Sequence, residues 1–302
     1  MDSENKKYIF AFLGGDRRQA VIAKLLTDLG HKAKMFGTSE YVAYCPEAEQ
    51  CSSAKKAMDG ADILILPLPV SKNGTHIITS DNFMVDLDEV VHLCSKNKTQ
   101  KIFGGIIPQN LVKKCANCGI EVIDYYAEET LQSKNALPSA EGALMLAMEH
   151  SEITIKGMNT LVCGFGRIGA LLAKMLSDLG ANVTVAARRD EVLCEAALGG
   201  FDTLRIDPSY GVDITERQEY DVIFNTVSQI VFKTQALKNI KSNPLYIEIA
   251  SSPGGIDTAS AREAGIKIIA APSIPGKYAP ISAGRYIFEN ICDLCSKRGI
   301  NL

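Results

Sequence analysis

The feature that most constrains the fold of this chain is a repeated alternation of short apolar segments with helical patterns. In the first half, "YIFAFLGG", "ADILILPLPV" and "KIFGGII" are each followed by a helical segment, and a second series runs from "NTLVCGFG" to "IKIIAAP". Such alternation is typical of parallel βαβ units, and the continuous apolar runs suit a sheet that is covered on both faces. The sequence therefore predicts an α/β fold with two such series.

The length of the chain favours two domains. At 302 residues it exceeds the usual size of one hydrophobic core. The pattern changes around "NALPSAEGALMLAMEH", where Ser139 is predicted to cap a bridging helix that carries Glu141 in its first turn. We therefore predict an N-terminal α/β domain on the substrate side at residues 1–137 and a nucleotide-binding domain at residues 138–280.

Composition excludes several classes of function. The formal net charge is −3 and the basic residues are scattered, which leaves no electrostatic field for nucleic acid. The polar start "MDSENKK" leads into a strand, and no apolar run approaches the roughly 18 residues of a membrane span. We therefore expect a cytoplasmic protein without a nucleic-acid or membrane partner, whose nine cysteines are reduced thiols.

A glycine-rich turn indicates a dinucleotide site. Gly164, Gly166 and Gly169 form G-x-G-x-x-G between the strand "NTLVC" and the helix "IGALLAKMLSDLG", which is the context that makes this motif informative. The first glycine permits a tight turn, the second lets backbone approach a pyrophosphate, and the third allows close helix packing. The alternative is a βα turn without a ligand. The predicted cofactor contacts lie on this turn and after two later strands: Gly164, Phe165, Gly166, Arg167, Ile168, Gly169, Asn225, Thr226, Val227, Ala250 and Ser251.

The end of the next strand indicates which nucleotide is bound. An NAD-preferring site usually places an acidic residue against the ribose 2′-hydroxyl, whereas "VTVAA" is followed here by Arg188 and Arg189. Two guanidinium groups can bond a 2′-phosphate in bidentate fashion. We therefore predict NADP as the cofactor, with NAD as the second choice. In the alternative, the arginines form an exposed pair and Asp190 or Glu191 binds the ribose.

Together these patterns predict two Rossmann-like, doubly wound parallel-sheet domains joined by helical crossovers. In such enzymes the reactants meet at the carboxyl ends of the sheets. Asp16, Arg17 and Arg18 follow the first strand, where backbone N–H and guanidinium groups would bind an anion; the alternative is an N-cap Asp with two solvated arginines. Lys277 is either a second carboxylate contact or a solvated lysine.

Catalytic residues are harder to nominate. None of the four histidines belongs to a recognisable acid–base pair or metal spacing. The catalytic candidates are residues expected near the same strand ends: Ser139, Glu141, Lys277 and His76.

Two Cys-x-x-Cys pairs could in principle bind zinc if they came together. Leu111, Cys115 and Cys118 recur at i, i+4 and i+7, and so do residues 288, 292 and 295, which is typical of a buried helix face. We predict core cysteines and no metal site.

Several longer segments resemble the A subunits of bacterial dipicolinate synthase. They are "FLGGDRRQ", "NALPSAEGA", the glycine turn, "FNTV", "IEIASSPGGID" and "IPGKYAPISAG". Ser139 stands where this family is expected to carry threonine, which keeps the hydroxyl group. The set is specific, and the resemblance covers nearly the whole chain.

This resemblance implies an NAD(P)-binding subunit related in architecture to 2-hydroxyacid dehydrogenases, with its last helix, 281–302, packed back on the N-terminal domain. It implies that a flavoprotein-like B subunit is the partner, and that together they oxidise dihydrodipicolinate, a small cyclic dicarboxylate, to dipicolinate in the mother cell of a sporulating bacterium. The alternative is a non-catalytic, nucleotide-sensing regulatory subunit, because no general acid or base is evident. A homo-oligomer is compatible with either function.

Overall fold

The structure is a computed structural model that describes residues 6–97, 101–212, 219–238, 240 and 243–302. The chain divides into two units. The first consists of Met1–Asn135 together with Ala279–Leu302, and the second of Ala136–Tyr278. Each unit is an α/β sandwich around a mainly parallel sheet, so the predicted fold class is confirmed.

In the first unit strands and helices alternate along the chain. Their bounds are β1 (Ile9–Leu13), α1 (Arg17–Asp28), β2 (Lys32–Phe36), β3 (Glu49–Gln50), α2 (Ala54–Met58), β4 (Ile63–Ile65), β5 (His76–Ile77), β6 (Val85–Asp86), α3 (Leu87–Asn97), β7 (Lys101–Gly104), α4 (Gln109–Asn117) and β8 (Glu121–Asp124). The main sheet is six-stranded, in the order β3-β2-β1-β4-β7-β8, and its pairs are parallel. β5 and β6 form a separate antiparallel pair that the sequence did not predict.

A long helix, α5 (Glu129–His150), leads from the first unit into the second. The elements that follow are β9 (Asn159–Cys163), α6 (Arg167–Asp178), β10 (Asn182–Ala187), α7 (Asp190–Leu198), β11 (Asp202–Asp207), β12 (Gly211–Val212), β13 (Val222–Asn225), α8 (Thr234–Lys238), β14 (Leu245–Glu248), α9 (Thr258–Glu263), β15 (Ile268–Ala270) and α10 (Ile274–Tyr278). Their sheet has the order β12-β11-β10-β9-β13-β14-β15, and its edge strand β12 pairs antiparallel with β11. The strand order reverses between β9 and β13, and ligands bind at such switch points in open α/β sheets.

The apolar runs form strands because both of their faces are buried. In β9, Leu161 packs into one core of the second unit and Val162 into the other, and both are fully buried. A strand between two helical layers needs apolar side chains at every position, which explains why these segments lack alternation.

The final helix, α11 (Pro280–Ser296), belongs to the first unit and packs on α1. A Cβ atom on Gly284 would lie 2.8 Å from the Cβ of Val21 and 3.0 Å from the carbonyl oxygen of Arg18, so the two helices approach at a distance that only glycine allows. Asn290 donates a hydrogen bond to the carbonyl oxygen of Tyr125 at 2.8 Å. α11 therefore completes the core of the first unit.

The predicted start of the bridging helix is wrong. α5 begins at Glu129, ten residues before the proposed cap, and it runs through Pro138, so Ser139 lies inside the helix and is buried. Proline usually breaks a helix interior because it lacks an N–H donor. Here buried positions on both sides of it, Leu131 and Ala143, supply the packing that holds the helix together.

The predicted cysteine stripe is partly wrong. Cys115 and Cys295 are buried, but Cys292 is half-buried and Cys118 is exposed. α4 ends at Asn117, so Cys118 lies beyond the helix and leaves its buried face. Burial raises the pKa of Cys115 to about 11 and that of Cys295 to about 12, which keeps both thiols protonated at neutral pH.

The described ranges contain neither a cluster of metal ligands nor a membrane-spanning helix. No group of three or more His, Cys, Asp and Glu side chains in those ranges is arranged to hold a metal ion. In the same ranges, every helix is too short or too polar to cross a membrane.

Candidate functional site

The glycine turn after β9 is closed on two sides and open on one. Gly164 has φ +91°, and a Cβ there would lie 2.4 Å from Thr226 Oγ1. A Cβ on Gly169 would lie 2.0 Å from the carbonyl oxygen of Gly164, whereas one on Gly166 would meet no atom within 4 Å. The space beside Gly166 therefore lies open at the N-terminus of α6, whose first turn carries no acidic side chain.

A cleft of about 290 Å³ begins at this turn, and we call it the glycine-turn cleft. Of the predicted cofactor residues, it brings together Gly164, Phe165, Gly166, Arg188, Arg189 and Val227. Its other lining residues are Ala187, Val192, Ile206, Asp207, Pro208, Gly211, Gln229, Ile230 and Val231. The remaining predicted residues, Arg167, Ile168, Gly169, Asn225, Thr226, Ala250 and Ser251, lie outside this lining.

The two predicted arginines occupy the end of β10. Both are exposed, and Arg188 Nη1 donates to Gln229 Oε1 across the cleft at 3.4 Å. Asp190, the acidic alternative for ribose binding, forms an ion pair with Arg205. The carboxylate of Asp190 is thus paired with Arg205, while Arg188 and Arg189 line the cleft.

Sequence reasoning missed a buried polar cluster at the ends of β13 and β14. Asn225 Nδ2 donates to Glu248 Oε1 at 2.7 Å and to the carbonyl oxygen of Val227 at 2.8 Å. Glu248 also accepts from the amides of Ala250 at 3.1 Å and Gly255 at 2.8 Å. These hydrogen bonds fix the loop that contains Ala250 and Ser251 and engage the side chain of Asn225 within the chain. The sequence signal for this cluster was Glu248, a carboxylate inside the otherwise apolar run "PLYIEIA".

In the first unit, the backbone amides expected to bind an anion already have acceptors within the chain. The amide of Gly14 donates to Phe36 and that of Gly15 to Ile78, at 2.8 and 2.7 Å. Asp16 caps α1 by accepting from the amide of Arg18 at 3.0 Å. The start of α1 therefore carries a negative charge of its own, and these three amides are engaged within the chain, so the anion site there stays a prediction.

Arg18 is not a free cation either. Its side chain is 6 % exposed; Nε and Nη2 donate to Asp16, and Nη2 also donates to the carbonyl oxygen of Leu68 at 2.6 Å. Burial opposes the charge, but the ion pair and hydrogen bonds with Asp16 outweigh it and raise the pKa of Arg18. The alternative of two solvated arginines is wrong for Arg18, because its guanidinium bonds both the cap residue Asp16 and the carbonyl oxygen of Leu68 in the loop after β4.

Arg17 differs from its neighbour. Its guanidinium carbon lies 4.8 Å from the ring centre of Tyr44 and 6.0 Å from that of Tyr41. Nε is buried and has no hydrogen-bond partner among the described residues. Of the two arginines, only Arg17 keeps its guanidinium outside an ion pair in this part of the structure.

The catalytic candidates lie in both units. His76, in the first unit, has its Nδ1 within 2.8 Å of Thr75 Oγ1 and its Nε2 at 3.9 Å from Asp86. The candidates of the second unit lie on two helices: Ser139 is buried in α5, Glu141 is exposed on α5, and Lys277 is exposed on α10. These placements assign no catalytic role to any of the four.

The chain is similar to the A subunits of dipicolinate synthase from two Bacillus species. Residues 9–126 match the family described as the N-terminal domain of the dipicolinate synthase A subunit. The chain is 28% identical over 292 residues to the A subunit of dipicolinate synthase from Bacillus subtilis (strain 168), covering 95% of each chain. It superposes on the crystal structure of the B. subtilis protein with a TM-score of 0.78 at 26% identity, covering 97% of each chain. For the dipicolinate synthase A subunit from Bacillus halodurans the TM-score is 0.81 at 26% identity, over 95% of this chain and 97% of the other.

A more distant likeness concerns the fold alone. The apo-structure of D-lactate dehydrogenase from Escherichia coli superposes with a TM-score of 0.62 at 12% identity, over 97% of this chain and 98% of the other. The fold is therefore dehydrogenase-like. The resemblance indicated by the sequence motifs is confirmed: residues 9–126 match the N-terminal domain family of the dipicolinate synthase A subunit, and along nearly its whole length the chain is similar to A subunits of dipicolinate synthase.

Proposed function

We propose that this chain is the NADP-binding A subunit of a dipicolinate synthase, and that with a B subunit it oxidises dihydrodipicolinate to dipicolinate. One observation supports NADP binding: Gly166, Arg188 and Arg189 line the same cleft. A dinucleotide phosphate needs a place for its pyrophosphate and a cation for its 2′-phosphate, and this cleft offers both.

The shape of the turn fits the pyrophosphate. Gly166 is the one glycine of the motif whose missing side chain leaves open space, and it precedes a helix of 12 residues. Amide N–H groups at the start of such a helix, together with its dipole, favour a negatively charged group. Gly164 and Gly169 serve the turn itself, because side chains there would collide with the protein.

The two arginines of the cleft favour NADP over NAD. Arg188 and Arg189 follow β10, where a ribose 2′-hydroxyl would meet an acid in an NAD site. The nearest acid on α7, Asp190, is engaged by Arg205. A 2′-phosphate would thus meet two cations, since guanidinium groups bond phosphate oxygens in a bidentate manner.

NADP⁺ in this cleft would supply the hydride acceptor for the dihydro ring, which becomes aromatic by losing a hydride and a proton. The proposed substrate contacts are those predicted from the sequence, Asp16, Arg17, Arg18 and Lys277. Among them we assign the direct carboxylate contact to Arg17 and a positioning role to Arg18, whose guanidinium is engaged by Asp16. Ser139, Glu141, Lys277 and His76 remain the proposed candidates for the proton.

Titration of NADPH and NADH tests the cofactor. We expect wild type to bind NADPH at least tenfold more tightly, and the double variant Arg188→Ala/Arg189→Ala to lose this preference while retaining NADH affinity. Arg262→Ala, an arginine on α9 outside the cleft lining, is the matched control. Equal affinities of wild type for the two nucleotides would contradict the proposal.

Turnover tests the reaction. Dihydrodipicolinate oxidation is measured with this chain alone, with only a B subunit, and with the two mixed, while NADPH formation is followed by absorbance. We expect NADPH to appear only when this chain is present. If the B subunit formed dipicolinate without this chain at the rate of the mixture, that result would favour the regulatory alternative.

A further inference from the structure

The glycine-turn cleft contains a carboxylate that the proposed contacts do not use. Asp207 lines it at the end of β11 and is half-buried. Oδ1 of Asp207 accepts from the amides of Ser209 at 2.6 Å and Tyr210 at 3.2 Å. The side chain of Tyr210 adds a hydrogen bond to this carboxylate, and Oδ2 accepts none from a backbone amide of the described residues. The hydrogen bond from the Ser209 amide is the main cause that lowers the pKa of Asp207, so the carboxylate that lines the cleft is ionised.

Strand order gives the cleft a direction. β9, β10 and β11 are consecutive neighbours in the sheet, and their carboxyl ends carry Gly164, Arg188 and Asp207 in that order. Parallel neighbours lie about 4.8 Å apart, so β11 ends about 10 Å from the glycine turn. In a nucleotide the ribose lies between the pyrophosphate and the base. With the pyrophosphate at the glycine turn and the ribose 2′-phosphate at Arg188, the base would therefore lie near Asp207.

The walls of the cleft suit a flat ring. Apolar side chains from α7, β11 and the loop after β13 face it: Val192, Ile206, Val227, Ile230 and Val231. A volume of about 290 Å³ is at the small end of ligand pockets, which suggests one nucleoside half rather than a whole dinucleotide. An apolar slot with a single anionic acceptor selects a ring that presents a hydrogen-bond donor at that point.

We infer that Asp207 is a specificity-determining residue that accepts a hydrogen bond from the exocyclic amino group of adenine, and so selects adenine over 6-oxo purines. This inference rests on the proposed nucleotide site. Adenine carries an N–H donor at position 6, whereas hypoxanthine and guanine carry a carbonyl oxygen there, which a carboxylate repels. A hydrogen bond to a charged group is stronger than a neutral one, and leaving it unmade costs more.

The experiment compares NADPH with its hypoxanthine analogue, deamino-NADPH, by fluorescence titration. The two nucleotides share the nicotinamide, pyrophosphate and 2′-phosphate, so only the base edge differs. We expect wild type to bind NADPH about tenfold more tightly. Tight NADPH binding with no preference for either base would overturn this inference and leave the proposed function standing. If neither nucleotide bound, that result would overturn the proposed function.

Asp207→Asn sharpens the test. The variant keeps Oδ1 for the amides of Ser209 and Tyr210, and it replaces Oδ2 by an N–H donor. We expect the preference to fall to parity or to reverse, because an amide donor matches the oxygen of hypoxanthine. Asp202→Asn, which removes the same charge from the exposed start of β11, should keep the wild-type ratio. Deamino-NADPH binding shows that Asp207→Asn is folded, and an unchanged ratio in that variant would contradict the inference.

Discussion

The same methyl group should have opposite effects at two glycines of the turn after β9. At Gly169 an added Cβ would lie 2.0 Å from the carbonyl oxygen of Gly164 and 2.9 Å from its carbonyl carbon, and both atoms belong to the backbone. At Gly166 it would meet nothing within 4 Å, and φ is −83°, which any residue can adopt. Gly169→Ala should therefore damage the fold, and Gly166→Ala should damage only the ligand site.

The size of the first effect follows from the contact. Real Cβ atoms essentially never approach closer than 3.0 Å, so α6 would have to move away from the end of β9 by about 1 Å. Overpacking of this kind costs about 1–3 kcal/mol. For a unit of this size, that lowers the unfolding midpoint by about 2–12 °C. Gly166→Ala loses only a modest helix-capping preference, about 0.5 kcal/mol, or about 2 °C or less.

The assay pairs thermal unfolding, followed by circular dichroism at one scan rate, with NADPH titration. We expect Gly166→Ala to melt close to wild type and bind NADPH at least tenfold more weakly, and Gly166→Val to lose binding altogether while remaining folded. Gly169→Ala should melt lower. The reasoning is refuted if Gly169→Ala has the stability of wild type, or if Gly166→Val binds NADPH normally.

Two further predictions concern the first unit. Arg18→Gln should lower the free energy of unfolding by about 2–3 kcal/mol, because it leaves Asp16 and the carbonyl oxygen of Leu68 without their buried donor. Arg17→Gln is the adjacent control and should lower it by about 1 kcal/mol or less. Equal losses for the two variants in chemical denaturation would contradict this prediction. Burial lowers the pKa of His31 in the folded protein, so as the pH falls the imidazole is protonated in the unfolded chain before it is protonated in the folded one. The contribution of neutral His31 to stability should therefore be fully present above pH about 6.5 and decrease as the pH falls below that value. His31→Gln should flatten that decrease in melting curves between pH 7 and pH 5, and an unchanged slope would show that other groups cause it.

Local patterns were sufficient to predict most of the secondary structure. The apolar runs became strands, and G-x-G-x-x-G became a strand, a turn and a helix, because each depends on neighbours in sequence. The start of α5 was missed because Ser139 has the local character of an N-cap, and the packing that carries the helix through Pro138 comes from residues distant in sequence. β12 and the β5–β6 pair were missed because two-residue strands carry too little pattern.

For the candidate site, the sequence by itself determined which residue types follow which strands: glycines after β9, arginines after β10 and a carboxylate at the end of β11. It did not determine what each side chain contacts. Arg17 and Arg18 are adjacent and chemically identical, yet one is stacked on Tyr44 and the other is buried against Asp16. Only the tertiary structure decides between such neighbours, because burial and hydrogen-bond partners come from segments brought together by folding, and these set whether a charge is free to meet a ligand.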